Sequence, residues 1–419
     1  MKILVVGSGG REHALLWKLA QHPDTELFVA PGNVGMIDLA TLVHIGVDEI
    51  DALVEFAKAE NIDLTVVGPE LPLTLGIVDA FQAAGLACFG PSQRAAMLEG
   101  SKAFSKELMK KYNIPTAAFD TFSDVNNAKA FVDEIGVPCV VKADGLAAGK
   151  GVIICDTKEE AYQAIDDMLE AHLFGDASNK IVIEEFMVGP EVSVLAFADG
   201  EHVRPMVSAQ DHKRIYDGDK GPNTGGMGAY SPAPVYTDAM AKIVNETIIE
   251  PTINAMREEG MPFVGILYTG LMLTEKGPRV LEYNVRFGDP ETQPILMRLK
   301  SDLVDIFVAA LEGHVDTANI EWHDEAAVCV IMASGGYPAS SEKGVAIHGL
   351  ENIAADEAQV FHSGTAEKDG EIVTNGGRVL GVTAMDGTIA GAIEKCYGAV
   401  EKIQFDHMQY RRDIGARAL

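Results

Sequence analysis

The chain has 419 residues, 47% of them hydrophobic and 23% charged, ordinary values for a globular protein of about two to four domains. Its formal charge of −29 argues against nucleic acid or an anionic membrane as partner, since both are repelled over most of the surface. Five scattered cysteines without a CxxC pair, no apolar run of spanning length, and a start that leads from Met1-Lys2 straight into a strand-like run predict a soluble cytoplasmic protein with buried free thiols.

Residues 2–6 (KILVV) read as a strand. Gly7-Ser8-Gly9-Gly10-Arg11-Glu12-His13 follows, then a helix with Leu15, Leu16, Leu19 and Ala20 on one face. Strand, glycine turn and helix place an anion site at the helix N-terminus. A dinucleotide fingerprint needs glycine at position 12, where the chain has Glu12. Nor does an acid end the second strand, LFVA, which runs into Pro31-Gly32-Asn33. A phosphate or a tight turn therefore fits better than nicotinamide. A helix around Ile50–Ala57, a strand at Leu64–Val67, the turn Gly68-Pro69-Glu70, a helix with Ile77, Val78 and Phe81, and a strand at Ala87–Phe89 continue the alternation. It predicts a parallel α/β domain whose turn-rich loops meet at the carboxyl ends of the strands.

Ser101 reads as the cap of a helix with Phe104, Leu108 and Tyr112 at i, i+4 and i+8. Lys102 falls in its first turn, unfavourable for a cation unless an anion is near. After a helix with Ala128, Phe131, Val132 and Ile135 comes PCVVKADGLAAGKGVI, residues 138–153. Here Val140-Val141 delivers Lys142, and Gly145, Gly149 and Gly151 surround Lys150. Strand, glycine loop and strand lay backbone N–H groups against phosphate oxygens, with two lysines adding charge. It is not a P-loop, because Gly151 and then a strand follow Lys150; a plain long hairpin is the alternative. In KIVIEEF (180–186) Glu184 and Glu185 point to opposite faces, so only one can face a ligand. Glu191 opens the next strand.

Residues 204–232 read as less regular and chemically rich, with QDHKR at 210–214 and GDKGPNTGGMG at 218–228. A helix over about 238–258 and strands at 266–273 and 279–284 follow. On the second of these, Glu282, Asn284 and Arg286 share one face. A carboxylate beside a carboxamide oxygen suits Mg²⁺, and Arg286 suits an oxyanion; a half-exposed polar strand face is the alternative. From residue 326 a tail shows strands AAVCVIMAS, 360–363 and 372–374, a hairpin signal at Asn375-Gly376-Gly377, a strand at 379–385 and a helix at about 387–402. It reads as a small α+β unit in which only Arg378, Arg411 and Arg412 hint at ligand contact.

Two lysines, a glycine hairpin, an acidic strand and a Glu-x-Asn-x-Arg strand have one economical explanation, a nucleotide clamp. The order resembles the ATP-grasp superfamily. The runs VVGSGGREHAL, APGN, GPE, EGSK, KADGLAAGKGV, EEF, SAQDHKR, GPNTGGMGAYSP and RFGDPETQP resemble the glycinamide ribonucleotide synthetase family along the whole chain. That resemblance implies ATP-dependent ligation of glycine to 5-phosphoribosylamine through a glycyl phosphate, in purine biosynthesis, with Mg²⁺ or Mn²⁺. It implies a mixed α/β and α+β architecture: an N-terminal parallel α/β (pre-ATP-grasp) domain over 1–101, a central ATP-grasp domain over 102–325 with a small mobile lid at about 122–191, and a C-terminal α+β domain over 326–419.

By the same resemblance Lys102 and Lys142 meet the ATP phosphates under a mobile loop containing Gly145, Gly149, Lys150 and Gly151. Glu184 and the backbone of Glu185 and Phe186 lie at the adenine, and Glu191 reaches the ribose. Glu282 and Asn284 hold the metal; the run Tyr268-Thr269-Gly270-Leu271 on the preceding strand offers no further carboxylate. Gly9, Gly10, Arg11, Pro31, Gly32, Asn33, Gly68 and Glu70 receive phosphoribosylamine. Asp211, Lys213, Asn223, Thr224, Arg286, Gly288 and Asp289 surround glycine and its acyl phosphate, with Lys142, Arg286 and Asp211 in the catalytic positions. A monomer acting on small molecules is expected. The rivals are a carboxylase of the same superfamily, an NAD-dependent oxidoreductase built on the first α/β unit, and a non-catalytic nucleotide-binding module.

Overall fold

The computed structural model describes residues 1–146 and 151–419. The first unit is a parallel sheet of β1 (Lys2–Gly7), β2 (Glu26–Pro31), β3 (Thr41–Leu42), β4 (Leu64–Val67) and β5 (Cys88–Phe89), in the order β3-β2-β1-β4-β5. A parallel strand covered on both faces reads as an unbroken apolar run, and Ile3, Leu4, Val5 and Val6 are all fully buried. Helices α1 (Gly10–Leu19), α2 (Ile50–Glu60), α3 (Glu70–Thr74), α4 (Ile77–Ala83) and α5 (Gln93–Gly100) connect the strands and lead out of the sheet. Because β1 lies between β2 and β4, the three predicted turns meet. Gly7 is in register with Pro31, and the Gly68 N–H donates to the Val6 carbonyl at 2.9 Å.

Helix α6 (Lys102–Lys111) is capped as expected: Ser101 Oγ accepts from the Phe104 N–H at 3.1 Å. The chain then enters a lid of β6 (Phe119–Phe122), α7 (Val125–Ile135), β7 (Cys139–Ala143), β8 (Val152–Cys155), α8 (Lys158–Leu169) and β9 (Ile181–Glu185). Its antiparallel sheet runs β6-β9-β7-β8, with Ala128, Val132, Val141, Ala161, Ile165 and Ile183 in its core. The β7–β8 hairpin is the one predicted around the glycine loop; Gly149 and Lys150 lie outside the described residues. The lid sheet begins at Phe119 and ends at Glu185, so the expected span of 122–191 is shifted. Glu191 already belongs to the next sheet, because the chain turns back at Gly189-Pro190.

That sheet starts with β10 (Glu191–Asp199) and β11 (Val203–Pro205). The stretch expected to be irregular contains β12 (Gln210–Asp211), β13 (Arg214–Tyr216), β14 (Lys220–Asn223) and β15 (Gly228–Ser231); β13 and β14 form a separate ribbon. The helix predicted over 238–258 is two pieces, α9 (Asp238–Val244) and α10 (Glu250–Glu258), joined by a π-turn over Asn245–Ile249. Pro251 has no N–H to continue the α register, and the ladder widens there. Strands β16 (Val264–Thr274) and β17 (Gly277–Asn284) complete the order β11-β10-β16-β17. Helices α11 (Thr292–Arg298) and α12 (Leu303–Leu311) follow.

The tail holds β18 (Ala326–Ala333), β19 (Gln359–His362), β20 (Thr365–Lys368), β21 (Glu371–Thr374), β22 (Arg378–Asp386) and α13 (Ile389–Val400). Its sheet, β12-β15-β18-β22-β19, borrows two strands from the central region. The hairpin expected at Asn375-Gly376-Gly377 does not form: β21 pairs with β20, and β22 with β18 and β19. The glycines serve a close pass instead, Gly376 against the backbone of Gly364. Among the described residues no helix is long and apolar enough to cross a membrane.

The units share cores. Phe89 of the first sheet stacks on Phe307 of α12 at 4.2 Å, a contact worth about 0.5–1.5 kcal/mol beyond its buried area. His13 of α1 accepts the His362 backbone N–H on Nδ1 at 2.8 Å and meets Phe361 edge-on at 5.6 Å. Burial, with His362 nearby, holds the His13 pKa down at about 3, and burial holds His362 at about 4. Both folded values lie below the unfolded 6.5, so the stability they contribute is complete above 6.5 and is lost as pH falls toward 4. Each costs about 1.4 kcal/mol per pH unit inside that window. Thermal unfolding followed from pH 7.5 to 4.5 should show this decline, with His13→Gln flattening part of it; a flat wild-type profile contradicts the account.

Candidate active site

Lid, core sheet and N-terminal turns enclose a cavity of about 950 Å³. The lid contributes Lys142, Gly151, Glu184, Glu185 and Phe186; the core contributes Glu191, Asp211, Lys213, Asn223 and Thr224. Glu282, Asn284, Arg286 and Asp289 line it from β17 and the turn beyond, and Arg11, Glu70 and Lys102 from the N-terminal side. Val140, Val152, Phe186, Met187 and Leu281 give the cavity its apolar portion.

Two ammonium groups share one buried carboxylate. Lys142 is in register with Val182 on β9, which places Glu184 diagonally beside it on the same face. Lys142 Nζ lies 2.9 Å from Glu184 Oε1, and Lys106 Nζ lies 3.1 Å from Glu184 Oε2. Lys106 also donates to Thr116 Oγ1 at 2.7 Å, which donates to the Val280 carbonyl at 2.7 Å. Burial works against ionising Glu184, but Lys142 and Lys106 outweigh it and hold its carboxyl below the usual range. Burial brings the Lys106 ammonium down to about 8, with Glu184 opposing. Glu185 points the other way, to Arg279 Nη1 at 2.6 Å, as strand alternation requires. Lys106 escaped the sequence reading, although Lys102, Lys106 and Met109 fall on one helical face. Lys106→Met should cost about 3–5 kcal/mol in urea unfolding, because Glu184 loses half its compensation inside the protein. Lys158→Ala, which breaks an exposed pair with Asp133, should move the midpoint far less; equal shifts overturn the assignment.

Lys102 has the anion its position demands. Asp144, just past β7, accepts from Ser101 Oγ at 2.9 Å and from the Ala103 N–H at 2.7 Å. The lid is thereby docked on the N-terminus of α6. Lys102 Nζ donates to the Gly145 carbonyl at 3.3 Å, and Gly145 packs against Ala177.

Strand β17 carries a bulge: Glu282 is opposite Gly270, but Val280 is opposite Leu271. The Glu282 carboxylate accepts no hydrogen bond from the described residues. Burial disfavours its ionisation, yet Lys213, Lys142, Lys102 and Arg286 hold its carboxyl below the ordinary range. Asn284 Oδ1 accepts from Arg286 Nη2 at 3.3 Å, which leaves a lone pair. Two hard oxygens at one end of the lysine cluster fit a small divalent cation. Gly270 presents no side chain opposite Glu282, consistent with the expected lack of a further carboxylate on β16. Arg286 is fixed by Glu99 Oε1 at 3.1 Å and Glu70 Oε2 at 3.3 Å. Glu99, also missed in the sequence, accepts the Val285 N–H at 2.8 Å; burial raises its pKa, with Arg286 opposing.

The anion site expected at the start of α1 is taken by the chain itself. Glu12 Oε2 accepts the Gly9 N–H at 2.6 Å and Oε1 pairs with Arg11 Nε. Its side chain lies where a Cβ on Gly7 or Gly68 would have to be. Gly9, Gly10, Pro31, Gly32 and Gly68 are not among the residues that line the cavity, whereas Arg11 and Glu70 are. Asn33 is spent on joining units: Nδ2 donates to the Ser8 carbonyl at 2.8 Å and the His362 carbonyl at 2.9 Å. Gly288 makes room for the Glu291 carboxylate and the Tyr268 ring. Glu191 pairs with Lys213 at 3.0 Å. Burial pushes Asp211 up to about 7, with Lys213 opposing and Glu291 adding repulsion. Arg378, only hinted at by the sequence, lines the cavity, donating to the Asp289 carbonyl at 2.7 Å and pairing with Asp289 Oδ2 at 3.1 Å. Arg411 is buried in pairs with Asp219 and Asp413, and Arg412 lies over the Tyr410 ring; neither lines the cavity.

Three domain models of phosphoribosylglycinamide synthetase match in order: the N domain over 1–99, the ATP-grasp (A) domain over 100–292 and the C domain over 327–417. The chain is 52% identical over 423 residues to phosphoribosylamine–glycine ligase of Vibrio parahaemolyticus and 54% identical over 424 residues to that of Escherichia coli O157:H7. Both matches cover 100% of this chain and 99% of the relative. The crystal structure of phosphoribosylamine–glycine ligase from Thermotoga maritima superposes with a TM-score of 0.87 at 35% identity, covering 99% of this chain and 100% of that one. A biotin carboxylase domain from Hydrogenobacter thermophilus shares the fold, with a TM-score of 0.77 at 16% identity over 98% of this chain and 91% of that one. With three domains matched in sequence order and relatives aligned end to end, the chain belongs to the phosphoribosylglycinamide synthetase family.

Proposed function

We propose that this cavity joins glycine to phosphoribosylamine through a glycyl phosphate, using the lid lysines and the β17 face as its two jaws. Membership of the family makes the chain an ATP-dependent, ADP-forming ligase of purine biosynthesis. The observation that carries the mechanism is that Lys142 of the lid and Glu282, Asn284 and Arg286 of the core face one cavity. Residues 1–101 take phosphoribosylamine, 102–325 the nucleotide and glycine, and 326–419 close the far side.

ATP lies with its base against Phe186 and the backbone of Glu185, its ribose toward Glu191, and its phosphates at Lys102 and Lys142 under the loop through Gly145 and Gly151. Glu282 and Asn284 would hold Mg²⁺ or Mn²⁺, which when bound supplies positive charge beside the phosphates. A glycine carboxylate oxygen attacks the γ-phosphorus, and Lys142 and Lys102 absorb the charge on the transferring phosphoryl group. Asp211, Lys213, Asn223 and Thr224 hold glycine in line. The amine of phosphoribosylamine, brought by the Arg11 and Glu70 side, then attacks the acyl carbon. Arg286, kept cationic by Glu99 and Glu70, faces the resulting oxyanion, and inorganic phosphate leaves. A closed lid keeps water from the acyl phosphate. The Glu12 carboxylate in the first turn leaves the substrate phosphate to Arg11 and its neighbours rather than to backbone amides. On this reading the enzyme works in the cytoplasm as a monomer on small molecules, with no nucleic acid or membrane partner.

Hydroxylamine should trap the intermediate: with ATP, Mg²⁺ and glycine but no phosphoribosylamine, the protein should form glycine hydroxamate and ADP in equal amounts. Glu282→Ala and Lys142→Ala should each lower ADP release by about 10²–10³ while unfolding stays cooperative, with Lys142→Ala at a lower midpoint because Glu184 loses one partner. Unchanged turnover in both variants overturns the assignment, and ADP release with bicarbonate but not glycine returns the carboxylase reading.

A further inference from the structure

The cavity holds a carboxylate that the mechanism leaves unused. Glu291 sits at the N-cap position of α11 without spending its side chain on a capping bond, is 3% exposed and still lines the cavity. Its Oε1 accepts from the Tyr268 hydroxyl at 2.9 Å and from Ser193 Oγ at 3.3 Å, and those hydroxyls lie 2.8 Å apart. Ser193 and Tyr268 come from the neighbouring strands β10 and β16, so two rigid elements aim the group. Gly288, without a side chain, leaves the space in which Glu291 sits beside the Tyr268 ring. Among the described residues no lysine or arginine approaches Glu291 or Asp211 within ion-pair distance. Asp211 feels Glu291 as the foremost of its like charges, ahead of Glu191 and Glu282.

Two acids thus face one part of the cavity with hydroxyls, not cations, fixing the more buried of them. A buried carboxylate in that condition is costly until a cation reaches it. The cation must fit beside groups that already donate to Oε1, so it must bring its own donors; an ammonium has three. We propose that Glu291, with Asp211, forms the ammonium subsite of the amino-acid substrate and is the residue by which the enzyme selects an α-amino acid over the matching hydroxy acid. The inference rests on the reading that glycine is ligated in this cavity. With the ammonium held here, the glycine carboxylate is turned toward Lys213 and the phosphates. A site built to bond a substrate N–H leaves its own groups unpaired when that N–H is missing.

The test compares glycine with glycolate, which replaces the ammonium by a hydroxyl, in ATP- and Mg²⁺-dependent ADP release by the full-length protein. Wild type should favour glycine by about 10⁴ in kcat/KM. Glu291→Gln should raise KM for glycine by at least about 50-fold, leave KM for ATP within about threefold, and cut the glycine-to-glycolate ratio by about 100-fold; Glu291→Asp should restore part of that ratio. A merely structural role lowers both substrates alike, so an unchanged ratio overturns the proposal. If Glu291→Gln does not fold, Tyr268→Phe removes one orienting hydroxyl and should lower the ratio by about tenfold; an unchanged ratio there overturns it equally. Loss of Mn²⁺ binding in Glu291→Gln with the ratio preserved would mean a metal ligand instead, and also overturns it. A wild type inert toward both acids fails earlier, at glycine ligation itself.

Discussion

Glu184 stands between an ammonium carried by the lid and another carried by α6, so one buried carboxylate answers two cations and the triad keeps a net positive charge facing the cavity. The carboxylate answers both ammonium groups in a dry interior, and Lys142 and Lys106 together favour its ionised form against burial. The relay continues through Thr116 to the Val280 carbonyl, so the strand that bears Glu282 is tied to the same set. Lid, helix and core sheet are therefore held in register by charge compensation as much as by apolar contact. Because the triad is already assembled, an anion arriving at it meets charges that need little reorganisation.

A chain of net charge −29 can bind polyanions only by concentrating its cations. Here they come from separate elements: Arg11 from α1, Lys102 and Lys106 from α6, Lys142 from β7, and Arg286 from beyond β17. Each is checked by a particular acid, so the cavity alternates in sign over short distances instead of forming a basic patch. Such alternation gives one cavity neighbouring regions of opposite charge, which is what the proposed set of a nucleotide, a zwitterion and a phosphorylated amine requires. The acids near Tyr268 and the lysines near Glu184 are two ends of this pattern.

The parts of the fold that could be read from the chain were those with local causes. Ile3–Val6 is buried on both faces and so is uniformly apolar; Ser101 caps because its hydroxyl reaches two residues beyond Lys102; Glu184 and Glu185 diverge because strands alternate. What was hidden depends on partners far away in sequence. Glu99 makes sense only once Arg286 and Val285 are packed against it, and Glu291 only once Ser193 and Tyr268 are brought to it from two other strands. The first turn misled for a similar reason: strand, glycines and helix do make an anion site, but the anion is Glu12. Strands β12 and β15 are too short to show a period of two, and their glycine-rich surroundings read as loop until β18 pairs with β15. Asn375-Gly376-Gly377 has hairpin chemistry, yet the ladder on either side of it belongs to different sheets.

The C-terminal sheet takes β12 and β15 from the middle of the chain, and this has a temporal side. During synthesis β15 emerges roughly a hundred residues before β18, its partner, exists; contacts of such separation form late and slowly. Until then the β13–β14 ribbon and the glycine-rich run after it lack their anchors in the tail, Arg411 on Asp219 and Arg378 on the Gly225 carbonyl. The cavity is thus one of the last features to be finished, completed only when the tail has emerged and folded back. A nascent or truncated chain can therefore bury much of its core and still lack the finished cavity.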